Sequence, residues 1–379
     1  MAVSLQDLES IQTIDELERK ALRLLSPKAL SYYPSATDGE ITKAANHDIY
    51  QKILLRPRLS VQQEGTEIDL STKFIGLRCG VPIHVSPAAA ARLAHAEGEA
   101  GIAAACSTSN AVQIISHNAS MAPEEIVKAG REAGQTIFGW QLYVLKDIKR
   151  TEATLARIRR IPEIKFIVLT LDAPFPGKRE ADERFKLQEL AAGGGPQVWG
   201  TEAGLTWKET LEWLGKHTSL PIVLKGIQTF EDAYLATLYP SVKGIILSNH
   251  GGRALDTTTT PLQVLLEIRK HCPHVLGQLD VLLDGGIKRG SDVVKALALG
   301  AKGVGVGRVP LYGLALGGRK GVQRALRILL DEVVAIMQRL GVRRIQDLNV
   351  WHVNANALDP LLCNGTIQWE NSSNTQCKL

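Results

Sequence analysis

Pro221-Ile222-Val223-Leu224-Lys225, Gly244-Ile245-Ile246-Leu247-Ser248, Val281-Leu282-Leu283-Asp284 and Gly303-Val304-Gly305-Val306-Gly307 are short apolar runs, each ending on a polar or glycine residue. Segments with helical apolar spacing separate them, among them residues 290–299. Towards the N-terminus the alternation continues through runs at residues 82–86, 112–116, 137–143 and 166–172, with amphipathic stretches at 122–133, 151–160 and 207–217. Eight strands, each followed by a helix, is the count for a closed parallel barrel. An open doubly wound sheet normally uses fewer strands and carries a glycine-rich turn after the first. No G-x-G-x-x-G opens a helix here. The expected fold is α/β: a TIM (β/α)8 barrel over residues 76–358, an N-terminal helical extension over 1–75, and a flexible polar tail over 359–379.

Within the extension, residues 5–25 have helical spacing that Ser26-Pro27 ends, and Tyr32-Tyr33-Pro34 opens a turn. Between the fourth and fifth strands, residues 185–206 contain Ala191-Ala192-Gly193-Gly194-Gly195-Pro196. That composition marks a mobile surface loop, placed to act as a lid.

Bulk composition narrows the function. Of 379 residues, 45% are hydrophobic and 22% charged, enough to bury a large core and to exclude global disorder. The formal charge of +5 is spread along the chain, which argues against nucleic-acid or membrane binding and mildly favours anionic ligands. Cys79, Cys106, Cys272, Cys363 and Cys377 are odd in number, widely spaced and without a C-x-x-C pair. Neither a metal site nor a disulfide framework is expected, and a reducing compartment fits. The acidic, polar first 18 residues do not read as a signal peptide, no apolar stretch approaches the roughly 20 residues of a membrane span, and the sequons at Asn118, Asn364 and Asn371 read as chance. Cys377-Lys378-Leu379 is a relative of the Ser-Lys-Leu peroxisomal address, so the expected location is peroxisomal, otherwise cytoplasmic.

In such a barrel, function collects at the carboxyl ends of the strands. In order, those ends are Pro87-Ala88-Ala89, Ser116, Gln141 with Tyr143, Thr170 with Asp172, Lys225, Ser248 with His250, Asp284-Gly285-Gly286 and Gly307-Arg308. Asp284-Gly285-Gly286-Ile287-Lys288-Arg289 and Gly305-Val306-Gly307-Arg308 set small residues and cations just past the last two strands, where bare N–H groups can grip a phosphate. Lys225 reads either as a snorkelling lysine or as a cation that neutralises charge on a cofactor. His250 reads either as structural or as a general base, in which case Asp172 could accept its second N–H. Arg253 and Arg179 could each bind a carboxylate as a planar fork; Arg179 could equally belong to a solvated charge run.

Ser248-Asn249-His250-Gly251-Gly252-Arg253-Ala254-Leu255-Asp256 resembles the signature of the FMN-dependent 2-hydroxy-acid oxidases and dehydrogenases. That family includes glycolate oxidase, lactate oxidases and the flavin domain of yeast-type L-lactate cytochrome c oxidoreductase. His95-Ala96-Glu97-Gly98-Glu99, Gln141-Leu142-Tyr143, Leu169-Thr170-Leu171-Asp172 and Leu224-Lys225-Gly226 agree with it in order. The resemblance implies FMN contacts from Pro87, Ala88, Ala89, Ser116, Gln141, Thr170, Lys225 and Ser248. It implies a phosphate site at Asp284, Gly285, Gly286, Ile287, Lys288, Gly307 and Arg308. Substrate is then held by Tyr32, Tyr143, Arg179 and Arg253, with His250 taking a proton and Asp172 supporting it; Tyr143 and Lys225 join the catalytic set.

Departures from the family pattern concern the pocket. Lysine stands at 288 where the family has arginine, Asn118 where glycolate oxidase has an aromatic residue, and Ala254 where glutamine is common. Alanines at 88–91 put small side chains beside the flavin. The resemblance therefore implies oxidation of a 2-hydroxy acid larger than glycolate. Oxygen or another external acceptor is implied, since no C-x-x-C-H haem attachment is present, and a homo-oligomer such as a tetramer is implied too. The alternatives are an FMN oxidase acting on a C–N or ring C–C bond of a carboxylated metabolite, a non-enzymatic flavin-binding protein, and a nucleotide-binding barrel without redox chemistry.

Overall fold

The computed structural model describes residues 4–58, 67–134, 137–191 and 200–365. Eight strands close into a parallel barrel: β1 (Ile83–Val85), β2 (Val112–Ile115), β3 (Phe138–Leu142), β4 (Ile164–Thr170), β5 (Ile222–Ile227), β6 (Val242–Leu247), β7 (Asp280–Asp284) and β8 (Gly303–Val306). Each pairs with its neighbour in sequence, and β8 returns to β1 through Val304–Ile83 and Val306–Val85. A barrel strand is covered on both faces, so its side chains are apolar in unbroken runs. Along β5 and β6, Val223 and Ile246 point into the barrel with Ile114, Phe166, Val168 and Leu282, while Ile222, Leu224, Ile245 and Leu247 join the core under the helices. The expected barrel and its strands are those observed, with ends shifted by at most two residues.

The N-terminal end of the barrel is stoppered by a hairpin, Thr72–Phe74 paired antiparallel with Leu77–Cys79. Its Phe74 meets Phe166 edge to face with ring centroids 6.3 Å apart, and Ile75 N donates to Asp280 Oδ2 at 2.5 Å. The expected boundary at residue 75/76 cuts through this hairpin, because its apolar residues belong to the barrel interior rather than to the extension.

The extension holds α1 (Leu5–Ser10), α2 (Ile14–Leu22), α3 (Pro27–Tyr32) and α4 (Ile41–Gln51). The helical pattern expected over 5–25 is broken in two: the Thr13 side chain accepts from Glu16 N, and the Glu16 carboxylate accepts from Gln12 N, which starts a new helix. Ser26-Pro27, expected as a terminator, caps and opens α3. Leu54–Leu55 pairs with Val353–Asn354, so the end of the extension is tied to the far end of the chain.

Two further expectations change. The loop expected at 185–206 begins as helix, Glu180–Ala191, because acidic helix formers occupy its first turn and neither Gly nor Pro interrupts it before Gly193. Residues 192–199 lie outside the described part, as do Cys377-Lys378-Leu379. The tail expected to be free from 359 is packed as far as it is described: Leu362 is buried, Cys363 N donates to Glu267 Oε1 at 2.9 Å, and Gln263 donates to Leu361 O. Among the described residues no helix is long and apolar enough to cross a membrane.

Candidate active site

Lys225 lies on β5, beside Thr170 in the register between β4 and β5, and Asp172 follows just past β4. Asp172 can reach over β5 because residue 226 is glycine: with φ +103° there, a Cβ would lie 2.5 Å from Asp172 Cβ. Its carboxylate is buried and bonded at both oxygens. Oδ2 accepts from Lys225 Nζ at 3.2 Å and Oδ1 pairs with His250 Nδ1 at 2.8 Å. Lys225 also donates to Ser248 Oγ at 2.9 Å, and Ser248 Oγ accepts from His250 N at 3.1 Å. Burial opposes ionisation of Asp172, but the charges of Lys225 and His250 and their hydrogen bonds outweigh it and hold the carboxyl well below its ordinary range. Burial likewise works against the Lys225 ammonium, and Asp172 with Asp284 more than restores it. An ionised carboxylate only accepts, so His250 carries its proton on Nδ1 and leaves Nε2 as the basic nitrogen. His250 has φ 58° and the next two glycines are also left-handed, which turns the ring back over the barrel mouth.

Tyr32 links the two arginines. Arg253 Cζ lies 4.9 Å from its ring centroid and Arg179 Cζ 5.7 Å. Arg253 Nη1 donates to Tyr32 O at 2.8 Å and Ser35 O at 2.6 Å, which fixes the guanidinium from behind and leaves its other N–H groups for a ligand. Arg179 is buried and bonded to Asp182 Oδ2 at 2.8 Å, so it is not part of a solvated charge run. Burial pushes the Tyr143 phenol upward, and it stays a neutral donor.

A row of neutral groups crosses the cleft. Gln141 Oε1 accepts from Ser116 Oγ and His117 N, both at 3.1 Å, while Nε2 donates to Thr170 Oγ1 at 3.2 Å. Ser86 donates to Asp284 Oδ2 at 2.9 Å. Beyond it, Gly286 (φ +81°) abuts α4 so closely that a Cβ would fall 1.9 Å from Asn46 O. Gly307 precedes the helical span Arg308–Leu340, which is kinked at Gly317-Gly318, and makes no side-chain bond to its first turn, so that N-terminus suits an anion. Arg308 Nη2 donates to Gly251 O at 2.6 Å. Lys288, expected as a phosphate cation, is shared: its Nζ donates to Asp15 Oδ1 and Glu18 Oε2, each at 2.8 Å, which leaves one of its three N–H groups for the cleft it lines.

Most of these residues wall a cleft of about 560 Å³, within the range of small-ligand sites. The small wall at Pro87, Ala88 and Ala89, the amide and hydroxyl row, Lys225, the glycine cradle and the cations at its end suit the ring, polyol chain and phosphate of FMN. Thr170, Asp172 and Ser248 do not line the cleft, but each is hydrogen-bonded to a residue that does: Gln141, His250 and Lys225 respectively. The sequence reading missed α4, whose Asn46 and Asn249 exchange amide hydrogen bonds at 2.8 Å each way, and whose His47 Nδ1 donates to Gly286 O at 3.0 Å. A signal was present: Thr42, Asn46, Ile49 and Tyr50 share a buried face at helical spacing, and two of the four are polar.

The family model for FMN-dependent dehydrogenases matches residues 21–355. The L-lactate dehydrogenase (cytochrome) of Wickerhamomyces anomalus is 37% identical over 358 residues, covering 90% of this chain and 61% of the relative. The chain thus spans about three-fifths of that relative's length. Glycolate oxidase of Spinacia oleracea is 36% identical over 367 residues, 91% of this chain and 96% of the relative. Among solved structures, the recombinant flavin-binding domain of baker's yeast flavocytochrome b2 superposes with a TM-score of 0.86 at 34% identity, over 100% of each chain.

Proposed function

Since this chain belongs to the family of FMN-dependent dehydrogenases, we propose that it oxidises a 2-hydroxy acid to the 2-oxo acid. One observation carries the reading: His250 is held by an ionised, buried Asp172 with Nε2 free, beside Arg253 and Arg179, whose forks suit the carboxylate of such a substrate. FMN, when bound, supplies the acceptor for the two electrons. Arg253 and Arg179 orient the substrate through its carboxylate, and Tyr32 and Tyr143 hold its oxygens. His250 Nε2 takes a proton from the hydroxyl-bearing carbon or its oxygen, and Asp172 stabilises the imidazolium that results. Lys225, which lines the cleft as an ammonium, would offset the negative charge that bound FMN gains on reduction.

The substrate is larger than glycolate, because Asn118, Ala88, Ala89 and Ala254 all line the cleft and leave room there. Oxygen is the acceptor and hydrogen peroxide the second product. The chain forms a homo-oligomer, and Cys377-Lys378-Leu379 addresses it to peroxisomes, where peroxide is disposed of. The test is anaerobic mixing of the yellow holoenzyme with a panel of 2-hydroxy acids. Flavin bleaching is expected for several members. His250→Ala should keep its FMN and lose bleaching by at least about a hundredfold; unchanged bleaching in that variant refutes the base assignment, and glycolate as best substrate by a wide margin refutes the size. Peroxide in aerobic turnover checks the acceptor.

A further inference from the structure

The cleft changes character at its mouth. Phe175, in the loop after β4, lines the cleft yet leaves 69% of its surface exposed. Two backbone bonds stitch that loop and the signature loop to the segment before α4: Asp38 N donates to Lys178 O at 3.0 Å, and Thr37 N to Gly252 O at 2.9 Å. Gly177 is pressed so tightly on the signature loop that a Cβ would lie 2.2 Å from Arg253 O and 2.7 Å from Ala254 O. Each stitched segment carries its own large apolar side chain into solvent, Leu255 with 62% exposed and Ile41 with 58%. Ile41 N is in turn bonded to Asp256 Oδ2 at 3.2 Å. Single exposed apolar residues are ordinary, but Phe175 lines the cleft itself, and Leu255 and Ile41 stand on segments stitched together with its loop and next in sequence to the cleft-lining Ala254 and Glu40.

The direction of a bound acid follows from the charges. Its carboxylate belongs with Arg253 and Arg179, and the buried Asp172, Lys225 and packed barrel interior close the inner end. A chain longer than that pocket can extend only towards the mouth. We propose that Phe175 is a specificity-determining residue, forming with Leu255 and Ile41 an apolar subsite for the hydrocarbon chain of a medium- or long-chain 2-hydroxy acid. This rests on the function proposed above and adds the substrate's shape and the residue that reads it. Covering Phe175 removes apolar surface from water only when the chain is long enough to reach it, so the benefit grows with length and touches binding rather than the chemical step.

The experiment compares wild-type holoenzyme with Phe175→Ala, and with Leu255→Ala as a second variant, over straight-chain 2-hydroxy acids from lactate to 2-hydroxyoctanoate. Saturation of the anaerobic bleaching rate separates binding from reduction. Phe175→Ala should weaken 2-hydroxyoctanoate binding on the order of tenfold, with lactate binding and the limiting rate within about twofold of wild type; Leu255→Ala should show a smaller change of the same pattern. Equal effects at every chain length, or none, would overturn the subsite. So would a wild type indifferent to chain length, or variants that change only self-association or vesicle binding. A wild type bleached by no hydroxy acid would instead refute the underlying function, an outcome visible before any variant is made.

Discussion

His84 offers a sharp test of how the barrel interior is built. It stands on β1 with none of its surface exposed, and neither ring nitrogen has a hydrogen-bond partner. Burial pulls its pKa from 6.5 to about 4, with Asp284 opposing and Lys225 adding to the effect. In the unfolded chain the ring regains its ordinary value. As pH falls below 6.5 the unfolded state takes up a proton that the folded state refuses, so stability present in full above 6.5 is lost progressively down to about 4. At about pH 4.5 a shift of this size amounts to roughly 2–3 kcal/mol. His84→Leu keeps a side chain of similar bulk and removes the titration. Urea unfolding of both proteins, followed by far-UV circular dichroism at about pH 7.5 and about pH 4.5, isolates the effect, since other titrating groups cancel in the difference. The variant should gain roughly 2–3 kcal/mol on the wild type over that interval. If the two profiles fall in parallel, the folded protein accommodates the charged imidazole and the reasoning about its isolation is wrong.

Two other outcomes follow from the site. Asp172→Asn leaves the shape but removes the anion from both His250 and Lys225, and should slow flavin bleaching by roughly a thousandfold or more with FMN still bound; a loss under tenfold would show that Asp172 is mainly structural. Gly286→Ala forces a Cβ to 1.9 Å from Asn46 O at a left-handed φ, so the variant should purify largely free of flavin, as the ratio of visible to ultraviolet absorbance will tell.

The barrel was legible because its strands are buried on both faces, and runs such as Ile222-Val223-Leu224 have no other economical explanation. The strand ends were legible for the same reason: a polar residue that closes an apolar run stands out, and Asp172, Lys225, Ser248 and His250 do meet in space. Residues from the extension were harder. Asn46 and His47 sit in a polar helix far from the barrel in sequence, and nothing local says that this helix walls the cleft. His84 hid in the opposite way, as a lone imidazole inside an apolar run. The glycine triplet at 193–195 coloured the reading of its neighbours, although the eleven residues from Glu180 to Leu190 hold neither Gly nor Pro.

The reciprocal amide pair between Asn46 and Asn249 bears on how such a chain can be rearranged. It joins two residues 203 positions apart, and the same helix is anchored again where Asp256 accepts from Ile41 N and Thr42 N. What looks like an appendage in front of a barrel is thus not a module that could be exchanged at will. A chimera joining the first 75 residues of one relative to the barrel of another would inherit a fold but not a seam. Unless positions 46, 249 and 256 were inherited as a set, the cleft would be assembled from halves that never fitted each other.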